Sequence, residues 1–168
     1  MPLTKLPDAE AQCATLADLI RPQLHANTLL VGIHSGGAWV ARRLSELLEL
    51  PGEVGLIDVS FYRDDFGEKG LHPQIKPTSI PFDVEGRSLI LVDDVLYTGR
   101  TTRAAINELF DYGRPASIRL AVLADRGGRE LPIYAEFCPW RPALGDTEEL
   151  VLETSDAGRL QWRCSQHA

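Results

Sequence analysis

The run Leu89 to Leu109, LILVDDVLYTGRTTRAAINEL, limits what this chain can fold into more than any other segment. The apolar stretch Leu89 to Val92 reads as a buried strand that delivers two adjacent carboxylates, Asp93 and Asp94. A small-residue turn, Thr98-Gly99-Arg100-Thr101-Thr102, then opens a helix with Ala105, Ile106, Leu109 and Phe110 on one face. Glycine lets the backbone approach an anion, the threonine hydroxyls and turn amides donate to it, and the helix N-terminus adds positive potential. Carboxylates repel a phosphate, so at the mouth of such a cup they suit sugar hydroxyls or a hydrated magnesium ion. A ligand with a phosphate, vicinal hydroxyls and a metal-bound leaving group fits both halves.

The rest of the chain supplies more units of the same kind. Thr28 to Ile33 reads as a strand, followed by the turn His34-Ser35-Gly36-Gly37 and a helix with Val40, Leu44, Leu47 and Leu48 inward. Leu56 to Phe61 and Ser117 to Ala124 read as further strands. Asp8 to Leu24 has helical spacing that Pro22 should kink or end. Strands alternating with helices predict an α/β fold with a central parallel sheet, which binds ligands beyond its strand C-termini. After Gly128 the pattern changes to short strands, Ile133 to Phe137, Glu149 to Leu152 and Leu160 to Arg163, predicting an appended antiparallel lobe at about 128–168. At 168 residues one domain accommodates everything. The one long polar connection is Arg63 to Pro81, and connections of that length usually serve function.

Composition narrows the class. No apolar run approaches the ~20 residues of a membrane span, and the first residues lack a signal-peptide pattern, so a cytoplasmic protein away from membranes is expected. Cys13, Cys138 and Cys164 are scattered, without metal-ligand spacing, and read as reduced thiols. A net charge of −7 excludes a general nucleic-acid coat, so any RNA site must be a local basic patch. Trp39, Trp140 and Trp162 have no stacking-platform spacing and read as packing residues.

The strand, acid pair, short spacer and Thr-Gly donors resemble the binding motif of the type I phosphoribosyltransferases in residue type, order and spacing. Phosphoribosyl pyrophosphate (PRPP) is a ligand of the kind deduced above. The likeness extends from about Leu30 to Pro132 and implies the type I phosphoribosyltransferase fold, a parallel sheet flanked by helices with a small antiparallel hood lobe. Within the family, VDDVLYTGRT is similar to the pyrimidine operon regulators that also act as uracil phosphoribosyltransferases. Hypoxanthine and guanine enzymes usually carry an acid immediately before the Thr-Gly pair. Here Tyr97 stands there, and a phenol is a poor replacement for a carboxylate base near neutral pH.

The resemblance implies roles residue by residue. Asp93 and Asp94 would hold the ribose hydroxyls and help position Mg2+ through water or PRPP. Tyr97, Thr98, Gly99, Arg100, Thr101 and Thr102 would bind PRPP at its 5-phosphate end, and His34, Ser35, Gly36 and Gly37 at its diphosphate. Arg63, Asp64 and Asp65 would form the flexible loop that shields the ribosyl cation, with Arg63 meeting the diphosphate. Asp125, Arg126, Gly127, Gly128 and Arg129 would shape the uracil site. The implied reaction joins uracil to PRPP, giving UMP and diphosphate. UMP-responsive binding of pyr leader mRNA and assembly as a homodimer or higher oligomer are implied as well. The chain departs from the family in its first helix, nearly free of cations, which leaves Arg42, Arg43 and Arg141 as candidates for an RNA face. Two alternatives stay open: an RNA-binding attenuation regulator with little turnover, and a purine or orotate phosphoribosyltransferase.

Overall fold

The computed structural model describes residues 5–59 and 78–167. Helix α1 (Ala9–Ile20) starts at Asp8, whose carboxylate accepts the Glu10 amide, and gives way at Pro22 to the short 3-10 turn Arg21–Gln23. Then come β1 (Thr28–Ile33), α2 (Gly36–Leu47), β2 (Gly55–Ile57), β3 (Ser88–Leu96), α3 (Arg100–Leu109), β4 (Ser117–Asp125), β5 (Glu148–Thr154) and β6 (Leu160–Gln166). The first four strands form one parallel sheet in the order β2-β1-β3-β4, and β5 pairs with β6 in a separate antiparallel hairpin.

This strand order decides where a ligand goes. From β1 the chain moves outward through α2 to β2, and from β3 it moves the opposite way through α3 to β4. The two βα turns therefore face each other across the point where the order reverses, the crevice in which open α/β sheets bind ligands.

Both faces of the sheet are covered, which is why its strands read as unbroken apolar runs. Ile90 and Val92 face a core built with Leu16, Ile20, Val40 and Leu44 of α1 and α2. Leu89 and Leu91 face Ala105 and Leu109 of α3 on the other side. The hairpin joins the first core through Leu150, Leu152, Leu160 and Trp162. A seam of polar contacts runs along the same contact. Asp8 pairs with Arg159 at 2.8 Å, Trp162 donates its indole N–H to Gln12, and Glu10 accepts both the Leu160 amide and Arg43.

Burial alone would raise the Glu10 pKa, but the Leu160 amide and Arg43 overcome it and hold the carboxyl below its ordinary value. A depressed carboxylate stabilises the fold above its unfolded-state pKa, and that contribution fades as pH falls through the folded value. Glu10→Gln is therefore expected to lower the melting temperature at pH 7 and to make no difference at the acid end of a pH series. An equal effect at all pH values would show that charge is not what Glu10 contributes. Burial pushes the Cys13 thiol up to about 12, so it stays protonated within the core.

Several expectations need correction. Leu47 and Phe110 are exposed by 42% and 54%, because they stand at the C-terminal ends of α2 and α3, where none of the described elements covers them. The expected strand Leu56 to Phe61 is Gly55–Ile57 within the described residues, its edge closed by reciprocal bonds between Leu56 and Ser79. Ile133 to Phe137 does not form a strand of the lobe. It follows β4 instead, where Phe137 makes a parallel bridge to Ala121, and the amides of Val122 and Asp125 donate to Phe137 and Trp140. That segment shields the β4 edge from pairing with another chain. Trp140 meets Trp162 at 5.6 Å between ring centres, joining it to the hairpin.

Candidate active site

Strand β3 runs on through the acid pair to Leu96, so Asp93 and Asp94 are strand residues whose side chains alternate across the sheet. Asp93 is buried and its Oδ1 accepts the Asp94 amide; Asp94 is partly open and its Oδ1 accepts the Val95 amide. The other Asp94 oxygen lies against the first turn of α2. A β-carbon placed on Gly36 would sit 2.1 Å from Asp94 Oδ2. Position 36 thus admits Asp94 only because it is glycine. Gly37 packs beneath, against the main chain of β3, where a β-carbon would be 2.4 Å from the Val92 carbonyl oxygen. The peptide between His34 and Ser35 is cis.

The expected cup, Thr98 to Thr102, is a tight turn into α3. Gly99 has φ +95°, a left-handed conformation that glycine adopts without penalty, and it turns the strand sharply into α3. Thr98 Oγ1 accepts the Arg100 amide at 3.2 Å, and the first main-chain bond of the helix is Arg103 to Gly99. The intervening amides of Thr101 and Thr102 precede any helical acceptor, which is how a helix N-terminus comes to favour an anion. Thr102 is nearly buried, 2% exposed, while Thr101 is more open. Arg100 at the rim pairs with Glu130 at 2.9 Å.

These groups surround one cavity of about 670 Å3. It brings together His34, Ser35 and Gly36, both aspartates, the whole Tyr97 to Thr102 segment and Arg126. Gly37, Asp125, Gly127, Gly128 and Arg129 do not line it. Arg129 instead forks onto Asp125 at 2.7 Å and donates to the Tyr97 carbonyl. Arg63, Asp64 and Asp65 lie outside the described residues. Among the described residues, no cluster of three or more His, Cys, Asp or Glu side chains gathers as a metal cage.

The lobe contributes a wall that the sequence reading missed, chiefly Asp146, Glu148, Glu149 and His167. Glu149 and His167 pair across the hairpin at 2.8 Å. Glu148 is 5% exposed, and its Oε2 and the Nε of Arg126 are both buried without a hydrogen-bond partner among the described residues. A signal for Glu148 existed, because it has the same strand parity as the core residues Leu150 and Leu152. A carboxylate on the inward face of a strand is unusual enough to mark a site.

The sequence from residue 3 to 143 matches the model of the phosphoribosyl transferase domain. The chain belongs to the phosphoribosyltransferase family. Within that family its relatives include bifunctional PyrR proteins. That of Ralstonia nicotianae is 51% identical over 155 residues, covering 90% of this chain and 88% of its own. That of Pseudomonas syringae pv. tomato is 59% identical over 122 residues, covering 73% and 72%. Among solved structures, the hypoxanthine phosphoribosyltransferase of Staphylococcus aureus aligns with TM-score 0.64 at 20% identity, covering 85% of this chain and 78% of its own, a likeness of fold. The purine phosphoribosyltransferase of Pyrococcus horikoshii aligns with TM-score 0.62 at 27% identity, covering 80% and 82%. The cavity lies at the sheet reversal described above. No helix among the described residues is long and apolar enough to cross a membrane.

Proposed function

We propose that this phosphoribosyltransferase joins uracil to PRPP, giving UMP and diphosphate. The carrying observation is a single cavity with the Thr98 to Thr102 turn on one wall, an acid pair on the strand leading to it, and Arg126 and Glu148 on the lobe side. Thr98, Gly99, Arg100, Thr101 and Thr102 receive the 5-phosphate, and the His34 to Gly37 turn receives the diphosphate. Asp93 and Asp94 hold the ribose hydroxyls. An N–H donor on Arg126 and a carboxylate acceptor on Glu148 complement the carbonyl and N3–H of uracil. Tyr97 in place of an acid supports a pyrimidine over a purine. Positioning and electrostatic stabilisation of the separating charges lower the barrier without a covalent nucleophile.

Magnesium fits this donor set, since it is ordinarily held by one or two carboxylates together with water and substrate phosphates. Asp93 and Asp94 are the residues that would help hold it, and when bound it neutralises the diphosphate charge.

The test is UMP formation from uracil and PRPP, with cytosine, orotate and hypoxanthine as controls. Turnover confined to uracil is expected. Preferred use of hypoxanthine would replace this reading with the purine one. Thr101→Ala is expected to raise KM for PRPP with little change in kcat, because the donor serves ground and transition states alike. A change confined to uracil affinity would remove Thr101 from the cup.

The bifunctional PyrR relatives support a second activity for this chain, UMP-responsive binding of pyr leader RNA. The candidate surface is smaller than its sequence suggests. Arg43 is engaged with Glu10 and the Gly158 carbonyl, leaving Arg42 on the exposed face of α2 and Arg141 near the lobe. Binding is therefore expected to be weak and steeply salt-sensitive. Arg42→Ala should lower affinity and reduce the salt slope by about one, while leaving UMP synthesis intact. A gel shift unaffected by Arg42→Ala at every salt concentration would move the RNA surface elsewhere.

A further inference from the structure

The chain leaves β3 through three residues whose carbonyls are all taken by one downstream segment. The Leu96 carbonyl accepts the Arg126 amide, the Tyr97 carbonyl accepts Arg129 Nη1, and the Thr98 carbonyl accepts the amides of Glu130 and Leu131. The Tyr97 ring, though 43% exposed, is contacted by the same segment. Arg126 lays its guanidinium over one side of the ring, 4.1 Å from the centroid. Gly128 closes in as well, so near that a β-carbon there would lie 2.3 Å from Tyr97 Cε1. Gly128 has φ +78°, so glycine is required twice over.

Arg126 also reaches the other way. Its Nη1 donates to the Glu148 carbonyl at 2.9 Å and its Nη2 to the Gly145 carbonyl at 3.3 Å. Those two residues bracket the turn that starts the lobe hairpin, itself closed by the Glu148 amide on Gly145. One planar side chain thus stacks on the residue preceding the phosphate cup and forks onto the turn bearing the buried Glu148. Lysine could not do both, because it has neither the fork nor the flat face.

We propose that Arg126 is a positioning residue that couples the phosphate cup to the lobe, so that filling the cup orders the Gly145 to Glu148 turn. The coupling runs from the Thr98 to Thr102 segment through the Tyr97 ring and the Arg126 guanidinium to the Gly145 and Glu148 carbonyls. Phosphate arrival at one wall thereby prepares the opposite wall for the nucleobase. This rests on reading Thr98 to Thr102 as the cup.

Hydrogen exchange with ribose 5-phosphate alone tests it, since that probe supplies the phosphate without a base and without turnover. In the wild-type protein ribose 5-phosphate is expected to slow exchange at both 98–102 and 145–148, the latter by about fivefold or more, the lower end of ordinary coupling between sites. In Arg126→Gln the protection at 98–102 should remain and that at 145–148 should vanish. Arg126→Lys should behave like Arg126→Gln, and Tyr97→Leu should break the same link from the cup side if the arginine variants fold poorly. Protection at 145–148 that persists in Arg126→Gln or Arg126→Lys, or its absence in the wild type, would overturn the coupling. Loss of protection at 98–102 in the wild type would overturn the cup reading together with it. Failure of the wild type to make UMP would sink only the uracil assignment, because the exchange result involves no base.

Discussion

Gly36→Ala is expected to leave the protein folded and to reduce UMP formation by about a hundredfold, the cost of misplacing a reacting group by roughly an ångström. The added methyl would lie 2.1 Å from Asp94 Oδ2 and 2.6 Å from Asp94 Cγ, so the carboxylate must move. It is a short side chain on a central strand, and its other oxygen already accepts the Val95 amide, leaving little freedom to yield gracefully. The measurement is kcat/KM beside a melting curve. A folded Gly36→Ala protein with near-normal kcat/KM would show that Asp94 need not occupy its observed place.

Asp94→Asn tests the charge where Gly36→Ala tests the position. Asparagine keeps the shape and loses a charged acceptor, worth on the order of 1.5 to 3 kcal/mol, so uracil transfer should fall by at least about tenfold. Thermal stability should change little, since the residue is only partly buried. Because both substitutions act on one carboxylate, the double variant should be little worse than Gly36→Ala alone. Full additivity would mean that Gly36 matters for some reason other than Asp94. Near-normal activity in a folded Asp94→Asn protein would remove the acid pair from the chemistry.

The sequence made the centre of this site legible because its signals are local. Strand, acid pair and glycine turn are consecutive in β3 and α3, and the opposing His34 to Gly37 turn repeats the same strand–turn–helix pattern. The α/β class followed from the apolar runs of β1, β3 and β4, each buried on both faces. What escaped depends on contacts between distant residues. Arg126 and Arg129 look like free charges facing a base, yet Arg129 is committed to Asp125 and the Tyr97 carbonyl, and Arg126 lines the cavity while also holding Tyr97 and the lobe turn. Arg43 looks like a surface cation, yet it bonds to a glutamate 33 positions away. Phe110 and Leu47 fit their helical stripes, and only the ends of α3 and α2 decide that none of the described elements covers them. Glu148 was readable in principle from strand alternation, but in a short segment among turns that period is easily lost.

The seam between α1 and the hairpin has a consequence for how the protein is made. Asp8 meets Arg159, and Gln12 meets Trp162, across 151 and 150 positions of sequence. On a ribosome, α1 emerges well before β6, the strand that shares its core. Leu16 and Ile20 share their core with Leu160 and Trp162, so this part of the core cannot close until β6 has been made. The nascent chain must therefore carry a partly uncovered helix while everything between α1 and β6 is made, and the arrival of β6 is what seals it.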